Sequence, residues 1–284
     1  MNTFNIATLA VEALLQEVDV WPKPGLVSPL DRGSHSDMNA GLLRRSAICL
    51  LPYFEQLVAA GAHGVGMSVL RRIGVAAEAA MLQVTDGVNT HRGAIFSLGL
   101  LCAAAGAAHA TQGHGELGTI VRHRWGEAIG TPTTRQSTHG AEVWRRYGVG
   151  GARKEAAAGF PHLYEIAWPA LKQGRRLAGG DEAAARVQAL FALMAALEDT
   201  NLLHRGGAPG LLFARELAVQ FIEQGGVGRG DWRERALRVH RLMVARHLSP
   251  GGCADLLAMT LFVDSVQAAG STDPLRGAPQ AVLV

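Results

Sequence analysis

Cysteine is scarce in this chain and aromatic residues are few: three cysteines, with Phe, Trp and Tyr together only 6% of 284 residues. Cys49, Cys102 and Cys253 are far apart, form no CxxC or Cys/His pair, and each lies in an apolar stretch. That excludes a disulfide framework and fits small core residues in a reducing compartment. Lysine is nearly absent as well, so arginine supplies almost all of a formal net charge of only +3. No basic run is dense enough for a nucleic-acid groove, whereas dispersed arginines suit polyphosphate ligands or a solvated surface. The N-terminus lacks a basic segment leading into an apolar one, and Glu12 and Glu17 interrupt it, so no secretory leader is expected. No run approaches the ~18 uninterrupted apolar residues that suggest a membrane span. Missing too are HExxH, a GxSxG elbow and a GxGxxG strand-to-helix turn, which argues against zinc hydrolysis, an α/β hydrolase and a Rossmann dehydrogenase. The expectation is a cytoplasmic protein with neither nucleic-acid nor membrane partners.

What is present is helical periodicity in a chain that is 48% hydrophobic. Val187, Leu190, Phe191, Met194 and Leu197 recur at intervals of three and four, with Asp181 as a natural N-cap after two glycines. Comparable helices can be drawn through 4–18, 38–60, 68–84, 93–110, 116–129, 161–178, 209–224, 231–248 and 253–269, with Pro169 kinking or dividing the one it falls in. Convincing alternating strands are not found. The fold class is therefore all-α, a compact multi-helix single domain over 1–284 with a ligand site formed by polar inter-helix loops. Glycine is abundant, 35 residues; it costs about 0.5–1 kcal/mol inside a helix, which favours placing many at helix ends.

Five polar segments between the helices carry the chemistry. In 17–27, Pro22 and Pro24 hold Lys23 extended, where its ammonium either reaches a phosphate or faces solvent. The adjoining turn brings His35, and Asp37 as cap, metal ligand or base. In 85–93, Arg92 and Gly93 open a helix whose unpaired amides suit an anion, with His91 beside them. Asp86 and Asn89 there could coordinate Mg²⁺ or cap the helix. In 150–162, Arg153 would meet phosphate and Glu155 would serve as acid, base or metal ligand; an exposed charge cluster is the plainer alternative. In 198–210, Glu198 and Asp199 follow a helix C-terminus, where negative charge is unfavourable unless Mg²⁺, Arg205 or a protonated His204 compensates. Asn201 completes that segment, which echoes 85–93 closely enough to suggest two loops facing one ligand across a degenerate duplication. In 249–260, Asp255 sits in a helix first turn, where it either balances the dipole or points into the same site, as could Asp264. His63, His109, His114, His123, His139, His240 and His247 read as surface or capping residues.

Six stretches resemble the triphosphoribosyl-dephospho-CoA synthase family, in the family's order: PKPGLV (22–27), GSHSDM (33–38), TDGVNTHRGAIFSLG (85–99), GARKEAAAGFPH (151–162), EDTNLLHRGG (198–207) and SPGGCADLLAMT (249–260). They span about residues 17 to 265, nearly the whole chain. Lys154 departs from the family's usual GARGE. The resemblance implies a helical enzyme that takes ATP and 3'-dephospho-CoA, forms 2'-(5''-triphosphoribosyl)-3'-dephospho-CoA and releases adenine. Mg²⁺ would accompany ATP, with Asp86 and Asp199 as metal ligands. Catalytic roles fall to Asp37, Glu155, Asp199 and His204, and substrate binding to Lys23, His35, Asn89, His91, Arg92, Arg153, Asn201 and Arg205. The absence of a fused transferase segment and an Ala/Gly/Arg-rich composition favour the malonate decarboxylase branch over the citrate lyase branch. The product would then pass to a holo-acyl-carrier-protein transferase. A homodimer is compatible with the apolar content. The competing readings are a Mg²⁺-dependent ribosyl or nucleotide hydrolase and a non-catalytic cofactor carrier.

Overall fold

The computed structural model describes residues 3–113, 115–131, 143 and 145–271; His114 and His139 lie outside them. The helices in chain order are α1 (Thr3–Val18), α2 (Ala40–Cys49), α3 (Leu51–Ala62), α4 (Met67–Val84), α5 (Arg92–Ala110), α6 (Leu117–Gly130) and α7 (Gly151–Ala157). A π-helical turn (His162–Ala167) runs into α8 (Trp168–Leu177), followed by α9 (Glu182–Ala196), α10 (Thr200–Glu223), α11 (Trp232–Ala245) and α12 (Gly251–Ser271). The described residues contain no strand, and the fold is all-α as the periodicity implies.

Three boundaries differ from the sequence reading, each because of proline or glycine. The helix drawn through 38–60 is two helices meeting at Leu50, because Pro52 has no N–H to give the carbonyl of Ile48; Leu50 N–H turns back to Ala47 and Ile48 instead. Pro169 enters in the first turn of α8, and the wider π-turn before it absorbs the bond proline cannot make. The helix drawn from 209 begins at Thr200, as two helical pieces joined where Gly207 takes φ 61°, ψ −164° just before Pro209. Only glycine tolerates that backbone. Asp181 caps α9 as expected, accepting from Ala183 and Ala184 N–H.

The core is centred on α5, in which every residue from Ser97 to Ala107 is buried. One cluster of buried apolar side chains runs from Ile6 to Val263. α5 and α12 reach the length and hydropathy of a membrane span that the sequence reading did not expect, yet 72% of α5's apolar window is buried inside the protein. Glycines are not confined to helix ends. Gly61 in α3 and Gly106 in α5 sit where the two helices cross, and a β-carbon on either would lie 1.8 Å from Ala103 O or 2.0 Å from Val58 O. The helices therefore meet backbone to backbone, and the packing this allows offsets the conformational cost of glycine. The N-termini of α5 and α10 each approach the start of α12, at Gly93–Asp255 and Asp199–Gly252.

Candidate functional site

Asp199 is the best-anchored member of the polar set. It is 1% exposed; Oδ1 accepts from Asn201 N–H (2.8 Å) and Leu202 N–H (3.2 Å), and Oδ2 from Cys253 N–H (2.9 Å). It thus caps α10 and ties that N-terminus to the first turn of α12. Burial pushes its carboxyl upward while the three amides pull it back. The electrostatic conflict read from the sequence is absent. α9 stops at Ala196, so Asp199 faces the positive end of the next dipole rather than the negative end of the last.

Asp255, in the second turn of α12 and not the first as its spacing from Pro250 suggested, closes against α5. A β-carbon on Gly93 would lie 2.0 Å from its Oδ2, so glycine is required there for the carboxyl to fit. Asp255 has no hydrogen bond or ion pair to any described residue. Desolvation, with Glu17 and Asp199 adding negative charge nearby, raises it to about 8. Glycines 251 and 252 seat the other loop: their β-carbons would meet Asn201 Nδ2 at 2.8 Å and Asp199 Oδ2 at 3.0 Å. The loops at 85–93 and 198–210 thus both touch the first two turns of α12.

Near them lies a buried ion pair. Lys23 is 1% exposed and donates to Glu17 Oε1 (2.8 Å) and to the Glu17 carbonyl (2.9 Å). The turn at Pro24–Gly25 carries it inward, not out along an extended strand. His91 is also buried, its Nδ1 2.7 Å from Ser46 Oγ. Burial first, and the Lys23 charge second, lower it to about 4, so the ring is neutral.

A second polar group lies at the kinked start of α10. Arg205 donates to the carbonyls of Ser34 and His247 and to His35 Nδ1 (3.2 Å), while His35 Nε2 meets Ser249 Oγ (2.9 Å). Desolvation and the guanidinium lower His35; with Nδ1 accepting, the ring is the neutral Nε2–H tautomer. Asp37 stands 3.7 Å from His35 with its side chain largely exposed. His240, expected on the surface, is buried: its Nδ1 lies 2.8 Å from the Lys23 carbonyl and its Nε2 3.3 Å from Asp31. The inner face of α11 packs on the 23–31 loop, and the imidazole pins that loop in place.

The 150–162 segment supplies a dyad that the sequence reading passed over. Glu155 accepts from His162 N–H (2.8 Å) through Oε1 and meets His162 Nδ1 (2.9 Å) through Oε2. That bond raises His162 above its usual value. Its signal was local: a carboxylate seven residues before a histidine across a Gly-Phe-Pro turn. The segment abuts α10, since a β-carbon on Gly151 would lie 3.0 Å from Thr200 Cγ2. Arg153 points to the end of α6, donating to the carbonyls of Ile129 and Thr131.

The remaining expected residues are more open. Asn89 Oδ1 accepts from Arg92 N–H (3.2 Å), the capping alternative, and Arg92 Nε pairs with Glu78 (3.0 Å). Asp86 is exposed in a turn with φ 53°. Asn201 and His204 are exposed on the first turns of α10. Among the described residues no three His, Cys, Asp or Glu side chains are gathered for a metal ion.

Comparison with known proteins places this geometry in context. Residues 3–273 match the family model described as ATP:dephospho-CoA triphosphoribosyl transferase. A protein of Stutzerimonas stutzeri (strain A1501) is 43% identical over 271 residues, covering 94% of this chain and 93% of its own. One from Acinetobacter calcoaceticus is 38% identical over 270 residues, covering 94% and 92%. Each bears the name "Probable 2-(5''-triphosphoribosyl)-3'-dephosphocoenzyme-A synthase". No solved structure matches.

Proposed function

The chain belongs to the ATP:dephospho-CoA triphosphoribosyl transferase family, and from that premise we propose that it joins ATP to 3'-dephospho-CoA with release of adenine. The product is 2'-(5''-triphosphoribosyl)-3'-dephospho-CoA. The observation that carries this reading is the family match over 3–273, whose polar motifs meet on the first turns of α5, α10 and α12. The 2'-hydroxyl of dephospho-CoA attacks C1'' of the ATP ribose, and the C1''–N9 bond breaks through an oxocarbenium-like transition state.

Helix N-termini suit the triphosphate, and Arg92 and Arg205 stand beside them. Their side chains are held by Glu78 and by His35, which fixes their direction at little entropic cost. The base role expected of Glu155 passes to His162. The carboxylate orients the ring through Nδ1 and leaves Nε2 to take the hydroxyl proton. Mg²⁺ enters as the triphosphate's counter-ion. The residues expected to hold it do not fit a protein-bound ion: Asp199's oxygens already accept three backbone N–H groups, and Asp86 is exposed elsewhere.

The product's fate as prosthetic-group precursor of a malonate decarboxylase, delivered by a holo-acyl-carrier-protein transferase in the cytoplasm, is part of the proposal and rests on composition. Mass-resolved product analysis after incubation with ATP, Mg²⁺ and 3'-dephospho-CoA tests the reaction. Adenine together with a conjugate retaining the triphosphate is expected. Adenine formed without dephospho-CoA would mean hydrolysis, and binding without adenine would mean a carrier.

A further inference from the structure

We propose that Asp255 is the catalytic acid that hands a proton to the departing adenine, a role that rests on the transfer reaction proposed above. The geometry singles it out by elimination. Departure of adenine needs a carboxyl group with a free oxygen beside a helix start, and Asp255 is half-buried in such a place. Asp199 has its oxygens engaged by the amides of Asn201, Leu202 and Cys253. Glu17 is held by Lys23 at 2.8 Å. Glu155 is bound twice to His162, and Asp37 is open to solvent with its side chain 56% exposed. Asp255 alone among these has no partner within the described chain.

Its seat is built for it. Gly93 removes the side chain that would occupy the position of Oδ2, so the carboxyl lies at the first turn of α5. The groups facing it explain its charge state. From α1 comes Glu17 and from the α10 cap comes Asp199, both raising it; at the start of α5, Arg92 is paired with Glu78 at 3.0 Å and His91 is neutral. On its own helix, Cys253 is held in the thiol form by burial, by Asp199 and by Asp255 itself. The Lys23 ammonium is engaged by Glu17 at 2.8 Å. A carboxyl among such neighbours stays protonated at neutral pH.

The step balances without another reactant. The C1''–N9 electron pair goes to the purine, the Asp255 proton goes to a ring nitrogen, and neutral adenine leaves. The 2'-oxygen bonds to C1'' and loses its proton to His162 and then to water, from which Asp255 is re-protonated.

The test uses a leaving group that needs no proton. In N7-methyl-ATP the base already carries positive charge and departs neutral. With ATP, Asp255→Asn should lower kcat by about 10²–10⁴-fold, the usual worth of general acid catalysis; with N7-methyl-ATP the loss should shrink to less than about tenfold. Equal losses on both substrates would overturn the proposal and make Asp255 structural. The wild-type protein gives a second reading that needs no variant. Its kcat with ATP should fall as pH rises past about 8, where the carboxyl ionises, and no such fall should appear with N7-methyl-ATP. The same basic limb on both substrates would also overturn it. Failure of wild-type protein to release adenine at all would end the reaction reading, whereas release with parallel losses ends only the role of Asp255.

Discussion

Replacing Gly93 with alanine separates a catalytic seat from a structural one. The added β-carbon would lie 2.0 Å from Asp255 Oδ2 and 3.0 Å from Cγ. Ordinary contact begins near 3.4 Å, so the carboxyl oxygen must retreat by about 1.4 Å. The obstacle is the end of a side chain rather than backbone, and Asp255 can give way by rotation. Alanine also raises helix propensity by about 0.5–1 kcal/mol in the first turn of α5. The expected outcome is therefore near-normal stability with a large loss of turnover: Tm within about 3 °C of wild type, and kcat for adenine release down roughly 10²-fold from a displacement of about 1 Å. Thermal unfolding followed by circular dichroism gives the first number and chromatographic adenine quantitation the second. Full activity in a folded Gly93→Ala protein would refute the reasoning, because it would show that the position of Asp255 does not matter.

Asp199→Ala should lose roughly 2–4 kcal/mol in urea unfolding, from the α10 cap and a buried Cys253 amide left unpaired; Asp199→Asn, which keeps an acceptor oxygen, should lose much less. Gly106→Ala drives a β-carbon to 2.0 Å from the Val58 carbonyl and should destabilise by roughly 1–3 kcal/mol. Gly74→Ala in α4 meets nothing within 4 Å and should stabilise by about 0.5–1 kcal/mol. For Asp255 the folded pKa, about 8, lies above the ordinary carboxyl value of 3.8. Its protonated form therefore supports folding below pH 4, and that support is lost as pH rises toward 8. Asp255→Asn should flatten this decline and exceed wild type in stability at pH 8, measured by urea unfolding across the range.

Much of the fold was legible because its signals are local. Asp181 after two glycines and the three-and-four spacing behind it mark a helix whose cap and length the structure reproduces. What escaped was set by partners distant in sequence. Lys23 reads as a phosphate hand between prolines, yet it meets Glu17 inside the protein. His240 sits on a polar helix, and only packing of the 23–31 loop buries it. The interior glycines at 61 and 106 become intelligible once α3 and α5 are seen to cross. For Asp255 the sequence leaves two readings, dipole partner or member of the polar site, because nothing local reveals that Gly93 lies against it. The motifs at 85–93, 198–210 and 249–260 come together at the start of α12, and which carboxylate oxygens the backbone already engages is visible only in the fold.

The most direct test of where the chemistry happens is the crystal structure of the protein with ATP and a dephospho-CoA lacking its 2'-hydroxyl, which binds but cannot react. An adenine ring nitrogen within about 3 Å of an Asp255 carboxyl oxygen, with the triphosphate on the helix starts beside Arg92 or Arg205, is the predicted result. A nucleotide bound away from the first turns of α5 and α12 would contradict the account.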